Sequence, residues 1–215
     1  MAKATLIIGN KNYSSWSLRG WLACKMSGLD FDEKFVPLFE DDHAATMARE
    51  TPASKVPVLI HNGTTIWESL AIAEYVAELN PAAKMWPEEA GQRAEARSIA
   101  CEMLSSFTGL RSQYHMNCRK IFADIAPTAA CQSDIARIQK IWADCLGNSS
   151  DPFLFGTFSI ADIMYAPVVS RFKTYAVPVD TNIQTYMNTI LALPDMQAWY
   201  AAAEAEEWII EEEEY

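Results

Sequence analysis

The sequence predicts an α/β unit followed by an all-helical region. Three observations carry that expectation. β-prone and helix-periodic stretches alternate in the order βαβαββα through residue 79. From residue 90 onward the apolar spacing is helical throughout. The stretch between them, 81–90, holds Pro81 and Pro87 and reads as a linker. The expected organisation is therefore a first domain over 1–80, a linker over 81–90, an all-helical domain over 91–207 and an acidic tail over 208–215.

Residues 5–9 (Thr-Leu-Ile-Ile-Gly) read as a buried strand, and 10–15 (Asn-Lys-Asn-Tyr-Ser-Ser) as a polar loop. A helix pattern from Ser17 runs through Leu18, Trp21, Leu22 and Met26, with Gly28 placed to end it. Residues 31–38 form a second strand, so this βαβ unit should be right-handed with parallel strands. A short helix is expected over 41–50. Val58, Leu59 and Ile60 form the next β-prone run and Thr64 to Trp67 another; His61-Asn62-Gly63 lies between them. Asn-Gly is a strong hairpin turn because both residues tolerate positive φ. Val56-Pro57 opens this hairpin and is a candidate cis bond. Ser69 is positioned to cap a helix carrying Ile72, Tyr75, Val76 and Leu79, ended by Asn80-Pro81. A helix start with a hydroxyl, a carboxylate and free N–H groups suits a small zwitterion whose carboxylate needs donors.

In the second half, residues 90–122 read as one long helical pattern, broken or bent near Thr108-Gly109, and 130–146 as a helix with Ile135, Ile138, Ile141, Trp142 and Cys145 on one face. Residues 148–158 form a loop. Ser159-Ile160-Ala161-Asp162 then makes a capping box, with Phe158 and Ile163 spaced as a hydrophobic staple. The helix behind it is apolar nearly all round, the mark of a buried central helix, with Pro167 expected to bend it. Helices over 181–193 and 195–206 close the chain, and Met85-Trp86-Pro87 in the linker offers apolar side chains for packing.

Half of the 215 residues are hydrophobic and seven are tryptophan, enough for a sizeable core. The net charge of −11, from 17 basic and 28 acidic residues, argues against a nucleic-acid or anionic-membrane partner. The crowd of glutamates at 204–214 reads as a solvated, frayed tail. Five cysteines without a C-x-x-C pair or zinc spacing predict reduced thiols, no metal and a cytoplasmic setting. No leader peptide or membrane-length apolar run is evident. Isolated His61, at the hairpin tip, reads as polar surface.

Val-Pro, a hairpin, then Glu68-Ser69 opening a helix resembles the glutathione site in the thioredoxin-like half of cytosolic glutathione transferases. The Ser/Thr-x-x-Asp box of the central helix is similar to the structural box in that family's helical half. The resemblance implies a thioredoxin-like domain followed by an all-α domain, and glutathione as co-substrate. It also implies a small apolar electrophile as second substrate and a homodimer. The Val56 backbone would pair with the cysteinyl part, Glu68 and Ser69 would hold the γ-glutamyl end, and Lys55 would meet the glycyl carboxylate. Met103, Phe107, Arg111 and Tyr114, with Trp16, would line the second-substrate pocket.

Glutathione chemistry requires a thiolate. A free thiol has a pKa of about 8.5, and lowering it by ~2 units takes ~2.7 kcal/mol of selective stabilisation. The donor must lie at the start of the first helix, where Tyr13, Ser14, Ser15 and Ser17 are all within reach. Tyr13-Ser14-Ser15-Trp16-Ser17-Leu18-Arg19 resembles the zeta-class motif Ser-Ser-Cys-Ser-x-Arg. By that resemblance Ser14 activates the thiol and Ser15 lies beside the sulfur. The motif's cysteine is Trp16 here, and its second arginine is Trp21, which weighs against a cysteine-dependent reaction. The expected activity is conjugation of glutathione to an electrophile. A glutathione-dependent isomerase or lyase, and a non-catalytic binding protein on the same fold, are the alternatives.

Overall fold

The computed structural model describes residues 4–38, 43–51, 53–147 and 151–215. Its centre is β1 (Ala4–Ile8), an almost unbroken apolar strand that is covered on both faces. Side chains alternate across a strand, so Leu6 and Ile8 point into the main core while Ile7 points into a small one with Val36, Met47 and Val58. Met47 comes from α2 (His43–Glu50), the helix expected from 41; residues 41 and 42 lie outside the described residues.

Around β1 the sheet runs in the order β2-β1-β3-β4. β2 (Phe31–Phe35) is parallel to β1 with Ala4 opposite Phe31, as a βαβ crossover requires. It is shorter than expected. Its Asp32, Glu33 and Lys34 face water, and charges on an outer strand discourage pairing with another chain. β3 (Val58–His61) runs antiparallel to β1 with Leu59 opposite Leu6, and β4 (Thr64–Trp67) runs antiparallel to β3. Asn62 (φ 50°) and Gly63 (φ 79°) make the turn, the left-handed pair that matches strand twist. The Val56–Pro57 bond is cis. His61 corrects the expectation of a polar tip: it is buried, and its Nδ1 lies 2.9 Å from the Tyr75 hydroxyl.

α1 (Ser15–Ser27) starts at the Ser14 cap, whose side chain accepts from the Ser17 N–H, and ends at left-handed Gly28. Gly20 lets this helix lie directly on the Pro57 ring, since a Cβ there would stand 2.8 Å from Pro57 Cγ. Gly20→Ala should therefore destabilise the protein by about 1–2 kcal/mol, because overpacking against a rigid ring outweighs alanine's ~1 kcal/mol helix advantage. A urea midpoint that rises instead would show that the contact is not tight.

α3 (Ser69–Leu79) packs beside α1 on the same face of the sheet. The helical half begins with α4 (Ala90–Ser105), preceded by a short 3-10 turn (Pro81–Ala83) and by Met85, whose carbonyl accepts from Ile160 N–H. The helical pattern over 90–122 is broken rather than bent, and it stops early. α4 ends at Ser105, Phe107 turns left-handed (φ 59°), and α5 (Thr108–Gln113) is short, with 114–122 outside any helix. Gly109 explains the new path, because α5 lies against Ala130 of α6 (Ala129–Gly147) too closely for a side chain. α7 (Ile160–Thr174) is the expected buried central helix, continuous through Pro167 and started by the Ser159/Asp162 capping box. Phe158 packs against Phe153 beside that start, the rings tilted with 5.5 Å between centroids. α8 (Thr181–Ala192) and α9 (Pro194–Glu204) complete the bundle, with Trp142 at its centre against Tyr165, Phe172 and Tyr186.

The C-terminal glutamates are not frayed. Glu206 accepts from the Lys11 and Asn12 N–H groups at 2.6 and 3.0 Å, and Arg119 donates to the Glu206 and Trp208 carbonyls at 2.7 and 2.8 Å. Ile210 is buried. Glu214 accepts from the Tyr13 hydroxyl at 2.6 Å and from Asn117 at 3.0 Å, and pairs with Lys120 at 2.7 Å. The tail is a strap laid across the loop before α1 and the segment after α5.

Candidate functional site

Two adjoining cavities lie between the sheet half and the helical half, and Trp16, Lys55 and Val56 line both. The first, about 210 Å³, is closed by Pro57, Trp67, Glu68, Ser69 and Leu104. The second, about 360 Å³, is lined by Ser14, Ser15, Leu38, Ser54, Arg111, His115, Arg171 and Glu213, with Tyr13 at its edge. Val56 precedes the paired part of β3, which begins at Val58, so its backbone stands outside the strand ladder at the junction.

In the first cavity the hairpin and α3 meet. Glu68, not Ser69, occupies the cap position of α3, in the left-handed region (φ 67°) and without a side-chain cap bond. Such backbone strain costs about 1–3 kcal/mol and clusters at ligand sites. The expectation that Ser69 caps the helix is corrected accordingly: Ser69 is the first helical residue. It is 1% exposed, and its Oγ is buried without a hydrogen-bond partner. A buried hydroxyl without a partner normally costs free energy, and here it lines a cavity beside the open N–H groups of a helix start. That end accepts an anion; the exposed Glu68 beside it accepts a cation.

The second cavity holds the start of α1. Ser14 Oγ is placed to donate to Ser17 Oγ at 2.8 Å and accepts from Ser17 N–H at 3.3 Å; Ser17 Oγ also accepts from the Gly9 N–H at 3.0 Å. Ser15 Oγ accepts from Arg171 Nη2 at 3.3 Å. Tyr13 is turned away: its hydroxyl donates to Glu214 and accepts from Arg119 at 2.8 Å. Burial, then the Glu214 bond, pushes its pKa up, which removes it as a source of a phenolate.

Three guanidiniums surround this point. Arg19 is fully buried on α1, donating Nε to the Met164 carbonyl at 2.8 Å, and stacks on the Trp16 ring at 4.4 Å. Arg111 stands over the same ring at 5.5 Å. Arg171, from α7, donates Nε to the Tyr114 carbonyl at 2.7 Å. Burial and mutual repulsion push Arg19 well down, and burial lowers Arg171 to about 10. A guanidinium keeps its charge even when buried, and the field of the pair favours an anion at the α1 start.

The cavities therefore bring together Ser14, Ser15, Trp16, Lys55, Val56, Glu68, Ser69 and Arg111. Met103, Phe107 and Tyr114 are not brought there: all three are buried in the core, and the Tyr114 ring stacks on Tyr175 at 3.9 Å. The helix that the resemblance set beside the pocket ends at Ser105, and of α4 it is Leu104 that faces the first cavity. Sequence reasoning missed Arg171, His115 and Glu213. A single arginine on a helix apolar all round carries no pattern, and the other two meet only when the tail docks. No cysteine lines either cavity. Burial holds Cys24 and Cys118 up at about 12.

The family model described as glutathione S-transferase, N-terminal domain, matches residues 13–79, and the one described as glutathione S-transferase, C-terminal domain, matches 126–202. The chain is 33% identical over 98 residues to a probable maleylacetoacetate isomerase of Caenorhabditis elegans, spanning 46% of this chain and 45% of that protein. It is 25% identical over 187 residues to glutathione S-transferase L1 of Arabidopsis thaliana, spanning 84% and 70%. Identity is 27% over 190 residues to the maleylacetoacetate isomerase of Rattus norvegicus, with 85% of each covered. A solved glutathione transferase homolog from Burkholderia gl BGR1, with bound glutathione, superposes with a TM-score of 0.76 at 24% identity, over 95% of this chain and 100% of that one. At that identity the likeness is one of fold.

Proposed function

The chain belongs to the glutathione S-transferase family, and on that premise we propose that it binds glutathione across the two cavities and activates its thiol for attack on a small electrophile. The observation that carries the reading is the unpartnered, buried Ser69 hydroxyl at the strained start of α3, facing the α1 start across Val56. The γ-glutamyl carboxylate takes the Ser69 hydroxyl and the α3 N–H groups, and its ammonium takes Glu68. The Val56 backbone pairs with the cysteinyl unit, and exposed Lys55 meets the glycyl carboxylate. The sulfur then lies at Ser14.

Ser14 and Ser17 share one hydrogen bond between two hydroxyls. Turning that bond round, so that Ser17 donates to Ser14, frees the Ser14 proton for the sulfur. Gly9 N–H, Ser17, Ser14 and thiolate then form one polarised chain. The α1 N-terminus and the buried arginines add positive field. Trp16 and Leu104 offer the apolar wall for the electrophile. By the same reading the protein works in the cytoplasm as a two-fold dimer, whose interface would take up the exposed Trp67 beside the site.

Calorimetric titration with millimolar glutathione tests the reading. Binding is expected, and Ser69→Ala should weaken it about tenfold, the worth of one hydrogen bond to a carboxylate. A flat titration of the wild-type protein overturns it. The named isomerase relatives favour a second reaction at the same thiolate: addition to a cis double bond, rotation and expulsion of the thiolate. Maleylacetone assayed beside chlorodinitrobenzene separates the two, isomerisation without conjugation selecting the second.

A further inference from the structure

A third cavity, about 560 Å³, opens in the helical half and shares no lining residue with the two already described. Its walls come from the segment 123–127 after α5, from α6 and from the turn between α7 and α8. The volume falls within the ~300–1,000 Å³ of small-molecule sites. Buried Ile135 and Val177, with the stacked pair Tyr114 and Tyr175, give it apolar walls. The segment is pinned. Phe122 N–H donates to the Thr174 carbonyl at 2.7 Å, and Gln113 clamps the chain twice, donating to the Ala126 carbonyl at 2.8 Å and accepting from Thr128 N–H at 2.7 Å. In the facing turn Gln139 Nε2 holds the Pro178 carbonyl at 2.9 Å, and Ala176 keeps a left-handed backbone (φ 48°). Walls fixed in this way lower the cost of ordering a site on binding.

The polar character of the cavity is one-sided. Asp124 is the one charged residue that lines it, exposed at the rim, and among the described residues it has neither an ion pair nor a hydrogen bond. Donors are scarce. Pro127 and Pro178 have no N–H, the Tyr114 hydroxyl is spent on the Ile125 carbonyl at 2.7 Å, and Gln139 on Pro178. Such a cavity leaves an anion without partners and suits a cation that carries an apolar body.

We propose that this cavity is a second ligand site, for an amphipathic organic cation whose apolar body fills the space beside Ile135, Val177 and Tyr175 and whose ammonium meets Asp124. The net charge of −11 draws such a cation toward the whole molecule, and Asp124 selects where it stops. The proposal does not rest on the glutathione reading, since the cavities have no residue in common.

The test uses 1-pyrenebutylamine, 1-pyrenebutanol and 1-pyrenebutyrate, one fluorescent body with a cationic, a neutral and an anionic head. Each is held at low concentration and titrated with the full chain by fluorescence anisotropy. The amine should bind at one site per chain, about three- to fivefold tighter than the alcohol, the worth of one exposed ion pair. The butyrate should bind more weakly than the alcohol. Asp124→Asn should bring the amine down to the level of the alcohol and leave the alcohol unchanged. Ala123→Trp, at an exposed lining position, should fill the cavity and weaken all three at least about tenfold. Both substitutions are on the surface, so urea midpoints close to wild type should accompany these losses. No binding of the amine, an amine no tighter than the alcohol, a preference that survives Asp124→Asn, or binding that survives Ala123→Trp overturns the proposal.

Discussion

Ser14→Ala should lower kcat/KM for glutathione conjugation by roughly ten- to a hundredfold, because one donor to a charged sulfur is worth about 1.5–3 kcal/mol. The cause is visible in the serine chain. Ser14 lines the second cavity, Ser17 stands behind it, and the Gly9 N–H feeds Ser17 from the central strand. Removing Ser14 leaves the sulfur with the helix terminus and the arginine field, so the acidic limb of the pH–rate profile should move to higher pH. Glutathione affinity should change little, since the α3 start and the Val56 backbone provide most of the binding in this reading. Ser15→Ala should cost less, because its hydroxyl is already engaged by Arg171. Ser17→Ala should lower both activity and stability, since it orphans the buried Gly9 N–H at a cost of about 1–3 kcal/mol. A limb that stays put in Ser14→Ala but moves in Ser15→Ala would place the donor one residue later. A limb unmoved in both would leave the helix terminus and arginines as the sole activators.

The parts of the site legible in the sequence were those built from neighbours in the chain. Val56-Pro57, the Asn62-Gly63 turn, and Glu68-Ser69 at the next helix sit within fourteen residues, and local backbone chemistry places them. Ser159 and Asp162 were legible for the same reason. The strap was not. Composition reads a run of glutamates as solvated, but Glu206 meets Lys11 and Asn12 across more than 190 positions, and Glu214 meets Tyr13 across 201. Those partners become neighbours only once α1, α5 and α9 have packed.

Arg171 illustrates a second limit. Fourteen of the fifteen residues of α7 are buried, so helical periodicity marks no functional face. What gives Arg171 its position is the approach of α7 to α1, where its neighbour Met164 takes the Arg19 Nε–H and Arg171 reaches Ser15. For Met103, Phe107 and Tyr114, the resemblance placed the right stretch of chain beside the pocket but not the right side chains. It could not show that Met103 lies on the buried face of α4, or that the chain turns left-handed at Phe107, after which Tyr114 is buried and Arg111 lines the cavity.

The same central helix carries the largest expected stability effect. Asp162 is fully buried and both carboxylate oxygens accept: Oδ1 from Leu154 N–H at 3.1 Å, Oδ2 from the Ser159 N–H and hydroxyl at 2.8 and 3.0 Å. Asn at this position must turn an NH2 toward one of those donors, losing a charge-assisted bond and setting two donors against each other. Asp162→Asn should therefore cost about 3–5 kcal/mol, against ~1 kcal/mol for Ser159→Ala, which keeps the backbone half of the box. Urea unfolding of the two variants checks the ranking; equal costs would mean that Asp162 acts only as a cap. The pH dependence has a definite sign. Burial outweighs these donors and pushes the Asp162 carboxyl up from 3.8 to about 6. A raised carboxyl pKa favours the folded state most when protonated, so that contribution is full below pH 3.8 and lost as pH rises through about 6. The stability gap between wild type and Asp162→Asn should accordingly widen by up to about 3 kcal/mol between pH 7 and pH 4, the remaining carboxylates cancelling in the difference. A gap that narrows on acidification would show that the three donors, not burial, govern this carboxylate. Because α7 also carries Arg171 and the Met164 carbonyl, loss of its cap should shrink the folded population before it alters kcat per folded molecule.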